Sequence, residues 1–269
     1  MNTRLTKEDQ AMIKKARRNK CSGPIYSEDG LRLLKVLGNP EYLEVKNGVK
    51  AICDEACLGL DNLHDVVLPA SVTDLGTRAF ASCIKLFKIT MPGVDFIGIE
   101  SFAHCENLKE IALPETLGKI WKAAFADCKA LEEINIPSHL KIIDKSAFRN
   151  SGLKSLNIEI SDDCKCCIYD KAFASCKHLE SVYLNKNVKI VERMAFADCT
   201  SLKTIEFEQP SLTCCAGEIN ATMLIGCTSL DKIIVPKNKY NHYPDFNIQG
   251  YESAQFETRD FNSLVTPKE

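Results

Sequence analysis

A short segment with the pattern Ala/Ser-Phe-Ala-x-Cys recurs along this chain of 269 residues. A leucine follows each copy, three residues after the cysteine. Five copies occupy residues 79–83, 101–105, 124–128, 172–176 and 195–199. Self-similarity at a fixed period is the signature of a repeat protein, in which each unit buries its apolar face against its neighbours. The sequence therefore predicts a single domain built as an array of stacked units.

Each unit opens with a leucine, and successive opening leucines lie 22 to 28 residues apart. These leucines are Leu63, Leu86, Leu108, Leu131, Leu153, Leu179, Leu202 and Leu230. Apolar residues three and five positions after most of these leucines indicate a strand with one buried face. A proline, which cannot donate to a strand ladder, usually ends this strand. A second apolar pair after the proline predicts a short second strand or extended turn on the opposite side of the coil.

The recurrent segment predicts about one helical or 3₁₀ turn in each unit, with its phenylalanine pointing into the core. We expect these phenylalanines to stack in a column, because they recur once per unit. They are Phe80, Phe102, Phe125, Phe148, Phe173 and Phe196. Neighbouring turns of such a coil lie about 4.8 Å apart.

Six of the 14 cysteines fall at one position of the repeat. They are Cys83, Cys105, Cys128, Cys176, Cys199 and Cys227. Ser151 takes this position in the remaining central unit. A free cysteine behaves as a small, well-buried hydrophobe with a weak donor. We therefore expect a ladder of reduced, packed thiols, which agrees with a reducing compartment.

The pattern L-x-x-I-x-I-P, followed by V-x-x-I-x-x-x-A-F-x-x-C-x-x-L, covers roughly residues 50–236. It resembles the BspA-like leucine-rich repeats of bacterial and protist proteins. The resemblance implies an α/β fold, namely a right-handed, horseshoe-like leucine-rich repeat solenoid. A parallel β-sheet would line its concave face, with short strands and helical turns elsewhere. Cys57 and Leu224 replace the phenylalanine in the first and last units, as is common in terminal capping units.

Three regions follow from this pattern. They are an N-terminal helix and cap in residues 1–52, the repeats in residues 53–236, and a C-terminal cap and tail in residues 237–269. Thr6 and Asp9 predict a capping box that starts the helix. The tail is rich in aromatic residues, and we expect part of it to cover the open edge of the last unit, because an exposed strand edge templates aggregation.

Side chains that alternate with the buried residues of the first strand point outward, because successive strand residues face opposite sides. They form two neighbouring columns on the concave face, through which leucine-rich repeats usually bind. The tentative binding residues are Asp65, Lys88, Glu110, Glu133, Asn135, Asn157, Tyr183 and Glu206. The middle of this face is acidic, which predicts a protein partner with a basic surface. The alternative is a strand face that only contacts solvent.

The sequence lacks the glycine-rich, Walker A, His-Glu-x-x-His and Gly-x-Ser-x-Gly motifs of common enzyme classes. We therefore predict no enzyme and no cofactor. Two longer units carry the cysteine inserts Cys164-Lys165-Cys166-Cys167 and Cys214-Cys215. Zinc needs four ligands, and a whole unit separates the inserts, so we predict no metal. Plain loop or core thiols are favoured over a labile disulfide, a metal site or a redox centre at Cys164.

The formal net charge of -2 argues against a dedicated nucleic-acid binder. Residues 1–20 are nevertheless basic, which we interpret as a charged helix face rather than a targeting or nucleic-acid signal. The sequence has neither an apolar stretch of about 20 residues nor the apolar core of a signal peptide, so we expect no membrane insertion and a cytoplasmic location. The predicted function is a non-catalytic protein-interaction module. The alternative is a cell-surface adhesin that binds host or matrix proteins, and the oligomeric state stays open.

Overall fold

The computed structural model describes residues 2–208, 221–236 and 255–259. There the chain forms a parallel-strand solenoid that begins with one helix, α1 (Lys7–Arg18). The strands are β1 (Gly23–Tyr26), β2 (Arg32–Leu37), β3 (Tyr42–Glu44), β4 (Ala51–Ile52), β5 (Asp65–Val67), β6 (Asp74–Leu75), β7 (Lys88–Thr90), β8 (Phe96–Ile97), β9 (Glu110–Ile111), β10 (Lys119–Ile120), β11 (Ile142–Ile143), β12 (Ser155–Ile158), β13 (Cys166–Ile168), β14 (Ser181–Leu184), β15 (Val188–Val191), β16 (Thr204–Phe207), β17 (Lys232–Pro236) and β18 (Gln255–Arg259). A 3₁₀ turn, Ala221–Leu224, precedes β17.

Helix α1 starts at the predicted capping box. The Thr6 hydroxyl accepts from the backbone N–H of Asp9 at 3.1 Å, and the Asp9 carboxylate accepts from the N–H of Thr6 at 2.8 Å. Asp9 is also buried against the Arg32 guanidinium, at 2.9 Å. Ile13 packs in a small apolar cluster with Leu34, so the helix closes the N-terminal end of the solenoid.

The second strands of the units form one continuous nine-stranded sheet, which we call the back sheet. Its order is β1-β2-β4-β6-β8-β10-β11-β13-β15, and only the β1–β2 pair is antiparallel. The predicted second strand of the repeat is therefore confirmed. The short, in-register parallel pairs stack successive turns directly upon one another.

The first strands of the units lie on the other side, which we call the front face. They form two separate parallel sheets, β3-β5-β7-β9 and β12-β14-β16-β17-β18. The unit that opens at Leu131 lies between them, and its residues 133–136 form no strand. The strand expected around Ile134 and Ile136 is therefore not formed, although the apolar alternation is present.

The recurrent Phe-containing segment is not one helical turn. It contains two consecutive tight turns, each with a left-handed residue, and these residues lie four positions apart, as at Arg78 and Ser82. Where these residues are not glycine, their φ values lie between 52° and 61°. The N–H of Phe80 donates to the carbonyl of Ser101 in the next unit at 2.8 Å, whereas the N–H groups of Ala79 and Ala81 donate to the carbonyls three residues earlier. Hydrogen bonds between units thus alternate with those inside each turn.

The predicted aromatic column is confirmed. Adjacent rings of the six phenylalanines are 5.2 to 5.6 Å apart at their centroids and nearly parallel, with interplanar angles of 1° to 9°. All six are fully buried. The stacking fixes the spacing of the units from inside the core.

The predicted cysteine ladder is also confirmed. Each ladder thiol is buried and forms no disulfide bond, and its Sγ donates to the carbonyl at the phenylalanine position of the preceding unit, 3.1 to 3.2 Å away. Ser151 lies 3.3 Å from Cys176 Sγ, so its hydroxyl continues the column. Burial raises the pKa of Cys83 to about 12 and that of Cys105 well above its ordinary value.

Strand β18 comes from the C-terminal tail and pairs in parallel with β17 along its whole length. The expectation that part of the tail covers the last edge is therefore met for residues 255–259. The tail aromatics Tyr240, Tyr243, Phe246, Tyr251 and Phe261 lie outside the described residues. The Cys214-Cys215 insert lies outside them as well.

Candidate interaction surface

The structure places all eight tentative binding residues on the front face, with their side chains at least partly accessible. Those exposed are Lys88, Glu110, Glu133, Asn135 and Asn157, and those of intermediate exposure are Asp65, Tyr183 and Glu206. Strand pairing brings them together in two groups. The unit without a front strand separates these groups and carries Glu133 and Asn135.

The first group lies across β5, β7 and β9, where Asp65, Lys88 and Glu110 are successive partners in register. Lys88 Nζ lies 2.7 Å from Glu110 Oε2, and this hydrogen bond raises the pKa of Lys88. Asp65 lies 2.8 Å from Nδ1 of His64. The negative charge of Glu110 is therefore already paired within the chain.

The second group lies across β12, β14 and β16, where Asn157, Tyr183 and Glu206 are partners in register. The Tyr183 hydroxyl donates to Glu208 at 3.3 Å, and burial, with Glu208 beside it, raises the pKa of Tyr183 to about 12. Arg259 of β18 donates to Glu206 at 2.6 Å. Two of the predicted acidic residues are thus neutralised, so the front face is less acidic than the sequence predicts.

A groove opens on the front face where the first sheet ends, and we call it the front groove. Its volume is about 730 Å³. It is lined by Lys88, Ile89, Thr90, Met91, Pro92, Lys109, Glu110, Ile111, Ala112, Leu113, Pro114, Glu133, Ile134 and Asn135. Four of the eight predicted residues therefore converge on one concave place, although they come from three different units.

The floor of the front groove is apolar. Ile111 and Ile134 are only partly buried, whereas Ile89 and Leu156, which hold the corresponding position in units on either side, are 3% exposed. The neighbouring core residue Ile136 is partly buried too. Aliphatic side chains that belong to the core pattern are thus accessible from the front at this unit.

Asn135 forms the wall of the groove and binds the backbone of Leu113 through both ends of its amide, at 2.9 Å and 2.8 Å. Asn135 belongs to the predicted outward column, but its contact with Leu113 and the groove were not predicted from the sequence. The only signal was weak, since asparagine is depleted in strands.

The cysteine insert on β13 shows no sign of an activated thiol. Cys166 is buried, Cys167 is half-buried, and burial raises the pKa of both thiols. The thiolate is the reactive form, so this environment lowers reactivity. The Cys164 Sγ donates to the carbonyl of His139 at 3.3 Å.

Among residues 2–208, 221–236 and 255–259, no cluster of three or more histidine, cysteine and carboxylate side chains is arranged to hold a metal ion. The prediction of no metal and no cofactor stays a prediction. In the same part of the chain, no helix has the length and apolar character needed to cross a membrane.

A solenoid of short parallel strands, an internal phenylalanine column and tight turns with a cysteine ladder together define a leucine-rich repeat protein. The chain belongs to the family of the BspA-type leucine-rich repeat region, whose model matches residues 39–154 and 152–253 with six copies. No curated protein matches it.

The first of three similar solved structures supports the same fold. A leucine-rich repeat protein of T. pallidum is 23% identical, with a TM-score of 0.51, covering 78% of this chain and 88% of the other. A leucine-rich cell surface protein of Faecalibacterium prausnitzii is 19% identical, with a TM-score of 0.47 and 80% of both chains covered. The pneumococcal vaccine antigen PcpA is 16% identical, with a TM-score of 0.42, covering 89% of this chain and 83% of the antigen.

Proposed function

We propose that this chain is a non-catalytic module that binds a partner protein through its front face. The convergence of Lys88, Glu110, Glu133 and Asn135 on the front groove carries the proposal. Concave places with an apolar floor and a few polar groups are where proteins usually hold ligands. These groups come from three successive units of an open strand face, which suits a protein surface better than a reacting substrate.

The binding mechanism is rigid presentation of side chains. The phenylalanine column and the cysteine-to-carbonyl hydrogen bonds hold each unit against the next, so the front strands are ordered before a partner arrives. Association costs free energy when side chains and loops must be ordered, and a pre-ordered surface reduces that cost.

The partner we propose has a basic surface, but fewer residues support this than the sequence implies. Lys88 and Arg259 already neutralise Glu110 and Glu206. Glu133 is exposed, and no cation lies within ion-pair distance of it among the described residues. The proposed electrostatic contact is therefore centred on Glu133.

Photo-crosslinking tests the proposal. A photoreactive amino acid is placed at Thr90 or Ser181, both exposed on the front face, and at Lys122, exposed at a turn, as the control. The purified proteins are incubated with extract of the source cells, and adducts are identified by mass spectrometry. We expect one protein adduct from a front position and none from Lys122. Adducts from all three positions alike, or from Lys122 alone, would refute binding by the front face.

The cellular location of the protein is a separate proposal. None of the twelve cysteines among the described residues forms a disulfide bond, which favours a reducing compartment such as the cytoplasm. A cell-surface adhesin is the alternative. Antibody staining of cells with and without permeabilisation decides between them, since signal on intact cells would exclude the cytoplasmic location.

A further inference from the structure

The outer face of the back sheet is apolar over its last three strands. Ile142, Cys167 and Ile190 are successive partners in register on β11, β13 and β15, and all three side chains are partly accessible. The residues that follow them on the strands are buried in the core, so these three point outward. Tyr169, which is also partly accessible, lies two positions after Cys167 and therefore on the same face. We call these four residues the back patch.

Three lysines flank the back patch on the side where its strands begin, and we call them the lysine flank. Lys141 and Lys165 directly precede β11 and β13 and are exposed, and Lys189 is the second residue of β15. Burial lowers the pKa of Lys189, and the charges of Lys165 and Lys186 lower it further. Positive charges on neighbouring units therefore lie close enough here to repel one another.

The carboxylates on the other side of the back patch are already bonded within the chain. Asp144 lies 3.0 Å from Lys119, and Asp170 lies 2.8 Å from Lys145. Each of these pairs joins two neighbouring units with opposite charges. Glu192 accepts a hydrogen bond from the backbone N–H of Asp170 at 3.0 Å.

The two carboxylates near the lysine flank are engaged as well. Asp162 lies 3.0 Å from Lys186, and Asp163 lies 3.8 Å from Nε2 of His139. By contrast, the lysines that precede β11 and β13 have no carboxylate within ion-pair distance in the part of the chain that the structure describes. The lysine flank thus favours an occupant that brings negative charge.

A helix is the kind of segment that suits this face. Strands β11 and β13 are paired on both sides, so the back patch offers side chains but no free backbone groups. A segment that lies on it must satisfy its own backbone hydrogen bonds, as an α-helix does. The chain already has this arrangement at the other end of the sheet, where Ile13 of α1 packs against Leu34 and Cys53, next to β4.

A second copy of this chain is a poor occupant by charge. Helix α1 is the only α-helix among residues 2–208, 221–236 and 255–259, and it carries five basic and two acidic residues. Docked on the back patch of another copy, it would bring further cations to the lysine flank. The charges therefore favour a different protein.

We propose that the back patch binds an acidic amphipathic helix of a partner protein. Apolar side chains three and four positions apart on that helix cover Ile142, Cys167 and Ile190, and its carboxylates lie along Lys141 and Lys165. The back patch lies on the opposite side of the solenoid from the front face. This second site is therefore independent of the proposed function.

Selection from a library of helical peptides is the first test. Peptides of about 18 residues, or five turns, are selected on the intact chain, and the most enriched one is synthesised. We expect apolar residues three and four positions apart with aspartate or glutamate beside them, and weaker binding as the salt concentration rises. Failure to enrich any peptide, or enrichment of basic or uncharged helices only, would overturn the proposal.

Matched variants locate the bound peptide. Lys165→Glu reverses a charge of the lysine flank and Ile190→Glu places a charge on the back patch, whereas Lys177→Glu and Ile84→Glu make the same changes at exposed residues in turns outside the back sheet. We expect the first two to weaken binding at least about tenfold and the controls less than about twofold. Lys165 is exposed, so its variant decides the question even if Ile190→Glu lowers the melting temperature. Equal effects of Lys165→Glu and Lys177→Glu would overturn the back patch as the site.

Photo-crosslinking of the purified protein alone separates the other occupants. A photoreactive amino acid replaces Lys141, and the products are analysed by mass spectrometry. We expect neither a crosslinked dimer nor a link to residues 209–220, 237–254 or 260–269. A dimer would show that a second copy covers the back patch, and a link to one of these segments would show that the chain covers it itself. Either result would contradict the proposal.

Discussion

The side-chain amide of Asn135 binds both backbone polar groups of Leu113. Its Oδ1 accepts from the Leu113 N–H at 2.9 Å, and its Nδ2 donates to the Leu113 C=O at 2.8 Å. Two units earlier the N–H of Leu68, at the corresponding position, donates to the backbone carbonyl of Thr90. A side chain thus replaces the main chain at the point where the front sheet stops.

Asn135→Ala tests the value of this contact. The change leaves the N–H and C=O of Leu113 without their partner, and an unsatisfied polar group costs about 1–3 kcal/mol. We therefore expect the free energy of unfolding, measured by urea denaturation, to fall by about 1–2 kcal/mol. Asn157→Ala is the control, since Asn157 is exposed and bonds only to Glu159, and should cost less than about 0.5 kcal/mol. Equal losses of unfolding free energy in the two variants would show that the contact of Asn135 with Leu113 stabilises the fold no more than an exposed side-chain contact does.

Phe125→Ala should be among the most damaging single changes. The ring is fully buried and stacks on Phe102 and Phe148 at 5.2 Å, so truncation leaves a cavity in the middle of the column. We expect a loss of about 3–5 kcal/mol in thermal or urea unfolding. Phe87→Ala removes a half-exposed ring stacked on His64 and should cost at most about 1.5 kcal/mol. A similar cost for both would mean that the column does not hold the core.

The buried thiols predict a loss of stability in alkali. Burial raises the pKa of Cys83 to about 12, so the thiol stays protonated in the folded chain when an unfolded cysteine has ionised. Unfolding then releases a proton, and stability decreases between the unfolded pKa, about 8.5, and pH 12, by up to about 1.4 kcal/mol per pH unit for this group. Below pH 8 the contribution of the buried Cys83 thiol to the free energy of unfolding is fully present.

Urea denaturation at several pH values checks this slope. Cys83→Ser should reduce the slope by the share of this one group, because a serine hydroxyl does not ionise in this range while other buried thiols such as Cys105 still contribute. Cys21→Ser, at an exposed cysteine, should leave the slope unchanged. An identical slope in wild type and Cys83→Ser would contradict the argument.

Asp9→Ala should release the N-terminal helix. It removes the capping-box acceptor and leaves the Arg32 guanidinium without its buried partner, and breaking a buried ion pair costs about 3–5 kcal/mol. Thr6→Ala removes only the cap hydroxyl and should cost about 1 kcal/mol. Hydrogen exchange of α1 and urea unfolding report both effects. Matching losses in the two variants would mean that the Arg32 contact adds nothing.

The features that recur once per unit could be predicted from sequence, because identical positions in a coil must stack. The phenylalanine column and the cysteine ladder, with Ser151 as a member of the ladder, follow from this repetition. The start of the helix at Thr6 could also be predicted, since a capping box is a contact between residues three positions apart.

The tight turns were harder to predict from the sequence, because alanine and phenylalanine do not indicate a particular backbone conformation. The segment that contains Phe80 looked like a helical turn, yet every second N–H group, including that of Phe80, bonds to the next unit, and tertiary contacts override local propensity. Most of the left-handed residues, such as Arg78, are not glycine, although Gly59 and Gly226 hold this position in the first and last units.

The front groove could not be predicted, because Ile134 and Ile136 satisfy the strand pattern as well as any other unit does. Whether a strand pairs depends on its alignment with both neighbours, which lies outside the local sequence. The neutralisation of Glu206 by Arg259 was hidden for the same reason, since 53 residues separate them.

The continuous back sheet and the divided front face give the solenoid an uneven resistance to bending. At every other described unit past β3, opening the front means breaking strand hydrogen bonds, but at residues 133–136 those bonds are absent while β10 and β11 remain joined behind. Opening the front at the unit of Leu131 therefore breaks fewer strand hydrogen bonds than at the other described units, while the paired back strands stay closed.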